Sequence, residues 1–133
     1  MATMSDLEQL AETMGITIVT HRDGEKGRWN PSCRTISLRH GLHPTQALCT
    51  LAHELGHAHH DHRPSASGLL CGRQEREADV WAARVLVDED DYVAAEVECG
   101  GHVGAIAEAL GVTVWVVRTW REAFYQMPYY GCV

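Results

Sequence analysis

Apolar and polar residues along this chain follow two different periods, and each change of period marks a change of element. Leu7, Leu10, Ala11 and Met14 share one face of a helix. The pattern Ser5-Asp6-Leu7-Glu8 opens that helix as a capping box, and Gly15 can end it. Ile16-Thr17-Ile18-Val19 is rich in alternating β-branched residues and predicts a strand. Residues 23–27 form a turn rich in Gly and charge. Residues 28–30 and 34–39 can then pair as a hairpin around Pro31-Ser32. The edge of such a sheet can hold an extended peptide by strand addition.

Helical spacing takes over after Pro44. Pro suits a first helical turn, where its missing N–H has no helical partner. Leu48, Leu51, Ala52, Leu55 and Ala58 then form one buried stripe. Residues 58–68 hold Pro, Ser and Gly and read as a loop. Residues 73–83 read as a second helix, with Ala78, Ala82, Val85 and Leu86 on its apolar face. Asp88-Glu89-Asp90-Asp91 starts a further helix; the alternating ligand spacing of a calcium loop is absent. Residues 102–121 resemble a helix-turn-helix, with Gly111 at the turn and Thr113 capping the second helix. Phe124, Tyr125, Pro128, Tyr129 and Tyr130 make an aromatic tail that can fold back or dock a partner.

Composition narrows the class. A chain of 133 residues with 45% apolar content is expected to form one domain with a single core. No basic-then-apolar leader and no apolar run of ~20 residues is found, which predicts a cytoplasmic protein without a membrane span. The five Cys are odd in number, irregularly spaced and without a C-x-x-C pair, so they read as reduced thiols. A net charge of −7 argues against broad binding to nucleic-acid backbone. In the helix-turn-helix segment Arg118 and Arg121 are balanced by Glu108 and Glu122, which argues against direct DNA binding there too. That pair of helices reads as core packing or a protein-recognition surface.

The chemistry lies in His53-Glu54-Leu55-Gly56-His57. Two imidazoles at i and i+4 share a helix face and can bind one Zn²⁺, with the Glu beside the first as general base. Gly56 would let another element approach this helix closely. A catalytic site needs a third ligand. Glu75 lies 18 positions after His57 and shares a helix face with Asp79, whereas Glu77 points about 200° away from Glu75. We assign Glu75 as the ligand and Asp79 as the acceptor that orients one His ring. His59, His60 and His62 form a polar helix end, with a second metal site as the alternative. Cys71 lies between the two metal helices and reads as a thiol without a role.

The two helical motifs together, HELGH and then Glu75-Arg76-Glu77-Ala78-Asp79-Val80-Trp81-Ala82-Ala83, resemble the ImmA/IrrE family of zinc metallopeptidases. The strand-like Thr35-Ile36-Ser37-Leu38 before the metal helix also fits, and the resemblance covers about residues 5 to 125. It implies a gluzincin-like fold: α+β and mostly helical, with a small N-terminal sheet on the HExxH helix and a helix-turn-helix-like pair at the C-terminal end. As one metallopeptidase-like domain over 1–133, it divides into a helix and sheet (5–40), metal-site helices (44–87) and C-terminal helices (88–126). The resemblance further implies cleavage of a transcriptional repressor, often one encoded nearby on a phage or mobile element. The expected reaction is hydrolysis in which Glu54 takes a proton from water at a Zn²⁺ held by His53, His57 and Glu75. Two alternatives stand beside it. One is a non-proteolytic anti-repressor that binds a helix-turn-helix repressor protein, and the other is a DNA-binding module.

Overall fold

The first helix starts earlier than its sequence pattern suggests. In the computed structural model of the protein, which describes residues 2–125, helix α1 spans Met4–Thr13 and its N-cap is Thr3. The Asp6 N–H donates to Thr3 Oγ1 at 3.2 Å, and the Thr3 N–H donates to Asp6 Oδ2 at 2.9 Å. This capping box replaces the expected one at Ser5 and Glu8. It satisfies the same kind of orphan donors and also lets Met4 pack on the core. The helix closes at Gly15, where φ is +71°.

Three strands follow: β1 (Thr17–His21), β2 (Gly27–Asn30) and β3 (Thr35–Arg39). The strand expected at residues 16–19 begins one position later, because Ile16 turns inward and is buried. The expected hairpin forms, with Gly27 opposite Leu38 and Asn30 opposite Thr35. Strand β1 lies parallel to β3 on its other side, so the sheet order is β1-β3-β2 and β2 is an edge. Ile36 and Leu38 are the inward-facing residues of β3.

Helix α2 spans Pro44–His59, with Pro44 in its first turn and His43 Nδ1 capping the Thr45 N–H. Leu51, Ala52 and Leu55 of its stripe are fully buried. Helix α3 spans Gly68–Leu86 and starts at Gly68 rather than Arg73, because Ser67 caps it through the Leu70 N–H. The two helices meet backbone to backbone at Gly56. A Cβ there would lie 2.7 Å from the Ala78 carbonyl oxygen and 2.9 Å from Ala78 Cα. Only a residue without a side chain permits that approach.

Helix α4 (Glu89–Cys99) is capped by Asp88, and Gly100 ends it at φ +61°. Helices α5 (Val103–Leu110) and α6 (Val114–Phe124) meet at 103° across Gly111, the angle of a helix-turn-helix. Thr113 stands at the N-cap of α6 but makes no capping bond. Its side chain is turned inward toward the buried Cys49 thiol, so tertiary packing overrides the expected cap. Val116, Val117 and Trp120 of α6 join Leu86 and Tyr92 in the core. Arg121 is tied down by donating to Tyr92 Oη at 2.6 Å and to the Gly101 carbonyl at 2.7 Å. The described cysteines 33, 49, 71 and 99 are free thiols. Among the described residues no single helix is long and apolar enough to cross a membrane. Pro128, Tyr129, Tyr130 and the end of the aromatic tail lie outside the described residues.

Candidate metal centre

Helical repeat alone stacks His53 above His57 on α2, and the close approach at Gly56 brings α3 alongside them. The result is a triangle of ligand atoms. His53 Nε2 lies 3.1 Å from His57 Nε2 and 2.9 Å from Glu75 Oε2, and His57 Nε2 lies 3.4 Å from the same oxygen. Three donors on a tetrahedral ion with bonds of 2.0–2.1 Å would stand about 3.3 Å apart. The triangle therefore fits an ion of that size, and the two-nitrogen, one-carboxylate donor set fits a borderline-soft divalent cation. Among the described residues these three are the group with the spacing to hold a metal ion.

Each imidazole has a hydrogen-bond partner at its other ring nitrogen. His53 Nδ1 lies 2.8 Å from Asp79 Oδ1. With the proton on Nδ1, the ring donates to Asp79 and keeps the Nε2 lone pair free for an ion. Behind His57 stands a different partner: His62 Nδ1, at 2.9 Å. The sequence groups His62 with His59 and His60, and their rings stay in contact, His59 with His60 at 5.0 Å and His60 with His62 at 5.1 Å, but each has a different further partner. His60 Nδ1 bonds the Gly56 carbonyl, and His59 stacks on Trp81 at 5.4 Å. His62 is buried against the site. The second metal site considered for this cluster has no donor set among the described residues.

Glu54 adjoins His53 in sequence and is not one of the three donors. It is only 7% exposed. Strand β2 crosses directly over it, and a Cβ on Gly27 would come within 2.9 Å of Glu54 Oε2. Sequence reading placed Gly27 in a turn and did not connect it to the site. Burial above all pushes the Glu54 carboxyl up to about 7; His53 opposes the rise, while Glu75 and Glu25 add to it. At His53 burial disfavours the charged ring, but the Asp79 hydrogen bond and the charges of Glu54, Asp79 and Glu75 outweigh it and raise its pKa. Burial and then repulsion from His53 hold His57 below its ordinary value.

Open space lies on both sides of Glu54. A cleft of about 330 Å³ runs along Arg28 and Trp29 of β2, past His57 and Glu75 to Cys71. A hollow of about 280 Å³ lies on the other side, between Lys26, Thr50, His53, Asp79 and Trp115. Gly27 and Glu54 border both. Trp115, at the start of α6, stands edge-on to His53 with ring centres 6.0 Å apart. The helix-turn-helix-like pair thus packs its second helix into the wall of the site.

The model of a peptidase family, described as the IrrE N-terminal-like domain, matches residues 11–119. No curated protein matches the chain. Among solved structures, a Mycobacterium tuberculosis transcriptional regulator is similar, with a TM-score of 0.68 and 20% identity over 96% of this chain. The chain spans 43% of that regulator's length, and at this identity the likeness concerns the fold alone.

Proposed function

This chain belongs to the IrrE N-terminal-like domain family, and from that premise we propose that it is a zinc-dependent metalloendopeptidase. In this reading His53, His57 and Glu75 hold Zn²⁺, Asp79 orients His53, and Glu54 is the general base. The observation that carries it is the triangle of three donors with a buried carboxyl beside it. Three protein donors, rather than four, are the number found in catalytic sites. When bound, such an ion polarises a carbonyl and makes water more acidic.

The chain's own residues account for the rest. Glu54, held near neutral by burial, can take a proton from the attacking water and return it to the leaving amine at ordinary pH. Gly27 keeps the backbone of β2 against the Glu54 carboxylate. The outer edge of β2 offers unpaired backbone groups to an extended peptide. A peptide lying there would cross Glu54 with the cleft on one side and the hollow at Trp115 on the other.

The substrate we propose is a protein, in particular a helix-turn-helix repressor of a phage or mobile element. The solved regulator of similar fold is consistent with a role in transcriptional control. The second reading is a regulator that binds its partner protein without cleaving it. We take residues 1–133 as one domain working in the cytoplasm. Direct DNA binding is not part of the proposal, because on α6 Trp115 stands against His53, Thr119 is buried and Arg121 is held by Tyr92 and the Gly101 carbonyl. The test is digestion of candidate repressors by wild type and Glu54→Gln. The enzyme reading predicts fragments with wild type and none with the variant, with both forming a complex. Equal complex formation and no fragments from either would support the binding reading.

A further inference from the structure

His62 is one of three polar or charged residues buried among the described residues, at 8% exposure, and the mechanism above does not use it. Its position is set by how α2 ends. The Asp61 N–H donates to the Ala58 carbonyl at 3.0 Å, and the His62 N–H donates to the His57 carbonyl at 2.9 Å. Asp61 takes φ +52° between them. These two bonds and the left-handed residue make a Schellman motif, in which the side chains at the two ends of the longer bond come together. Here those side chains are His57 and His62. Two other elements hold His62 in place. The Trp29 indole N–H from β2 donates to the His62 carbonyl at 3.2 Å, and Glu77 Oε1 from α3 lies 3.2 Å from His62 Nε2.

The hydrogen positions along this chain of groups are determined by the ligand role of His57. His57 turns Nε2 to the other two donors, and when that nitrogen holds an ion the neutral ring carries its proton on Nδ1. That proton can only be donated to His62 Nδ1, which must accept. A neutral His62 then carries its proton on Nε2 and donates it to the Glu77 carboxylate. His53 reaches its carboxylate directly, through Asp79; His57 reaches one through an intervening imidazole. We infer that His62 is the positioning residue of His57. It holds His57 in the tautomer and orientation that present Nε2 to the metal, with Glu77 as the anchor. This rests on the metal-site reading proposed above.

The experiment is zinc affinity, measured by competition with a chromophoric chelator, for wild type, His62→Ala, His62→Asn and Glu77→Ala. Removing such a partner typically weakens metal binding 10–100-fold, which is the result expected for His62→Ala. His62→Asn puts an amide oxygen where Nδ1 stands and should recover most of the affinity, a rescue that a purely packing role would not produce. Glu77→Ala, at a half-exposed position, should weaken binding severalfold without unfolding α3. Unchanged zinc affinity in His62→Ala, or no recovery in His62→Asn, would overturn the inference and leave the metal site standing. A wild-type protein that takes no zinc would remove the metal reading itself, and this inference with it.

Discussion

Glu54→Gln should make the metal-free protein more stable at pH 8, while abolishing cleavage by the zinc-loaded protein. The effect comes from burial. A carboxyl held at about 7 in the folded chain against 4.5 when free is protonated in both states below pH 4.5. As pH rises from there the unfolded chain ionises first and the folded chain keeps its proton. The folded state binds more protons, so stability falls with pH and the loss is complete above about 7. At about 1.4 kcal/mol per tenfold change in proton affinity, ionising Glu54 costs the fold about 3 kcal/mol. That is a large share of the roughly 5–15 kcal/mol typical of a domain. Glutamine has the same shape and no charge to desolvate. Urea unfolding of chelator-treated protein is the assay, because a cation on the histidines would attract the carboxylate and mask the effect. The variant should gain about 3 kcal/mol at pH 8, a shift of about 1–3 M in urea midpoint, and little at pH 4.5. A variant no more stable than wild type at pH 8, or a gain independent of pH, would refute the argument.

Gly56→Ala should destabilise the fold by roughly 1–3 kcal/mol in denaturant unfolding, since its methyl would meet the Ala78 backbone rather than a flexible side chain. The same substitution should weaken metal binding, because it drives Glu75 away from the two histidines. Gly27→Ala presses on Glu54 Oε2 and Thr50 Cγ2 instead. It should lower the cleavage rate about 10–100-fold while zinc content, read by atomic absorption, stays as in wild type. Asp79→Ala should raise the zinc dissociation constant about 10–100-fold in chelator competition, by freeing the His53 ring.

Local geometry explains what could be read without the fold. His53 and His57 are neighbours by helical repeat, Glu75 and Asp79 share a face for the same reason, and Gly56 marked a close approach before its partner Ala78 was known. His62 was not legible as a partner of His57. Its placement depends on the left-handed turn at Asp61 and on Trp29 and Glu77, which are distant in sequence. An Asp able to adopt that turn, four residues after His57, is the one local signal that pointed there. Gly27 read as a turn glycine because nothing in its neighbours reveals that β2 crosses Glu54. Thr113 shows the converse case. Its sequence position is right for a cap, and burial near Cys49 takes the hydroxyl away from the helix end.

Metal content of freshly purified protein, wild type beside Glu75→Ala, decides whether His53, His57 and Glu75 hold a zinc ion. About one zinc per chain is expected in wild type and a marked loss in the variant, whose remaining two nitrogens make an incomplete set. Wild-type protein that holds no zinc even after its addition, or a variant that holds it as tightly as wild type, would rule the zinc site out.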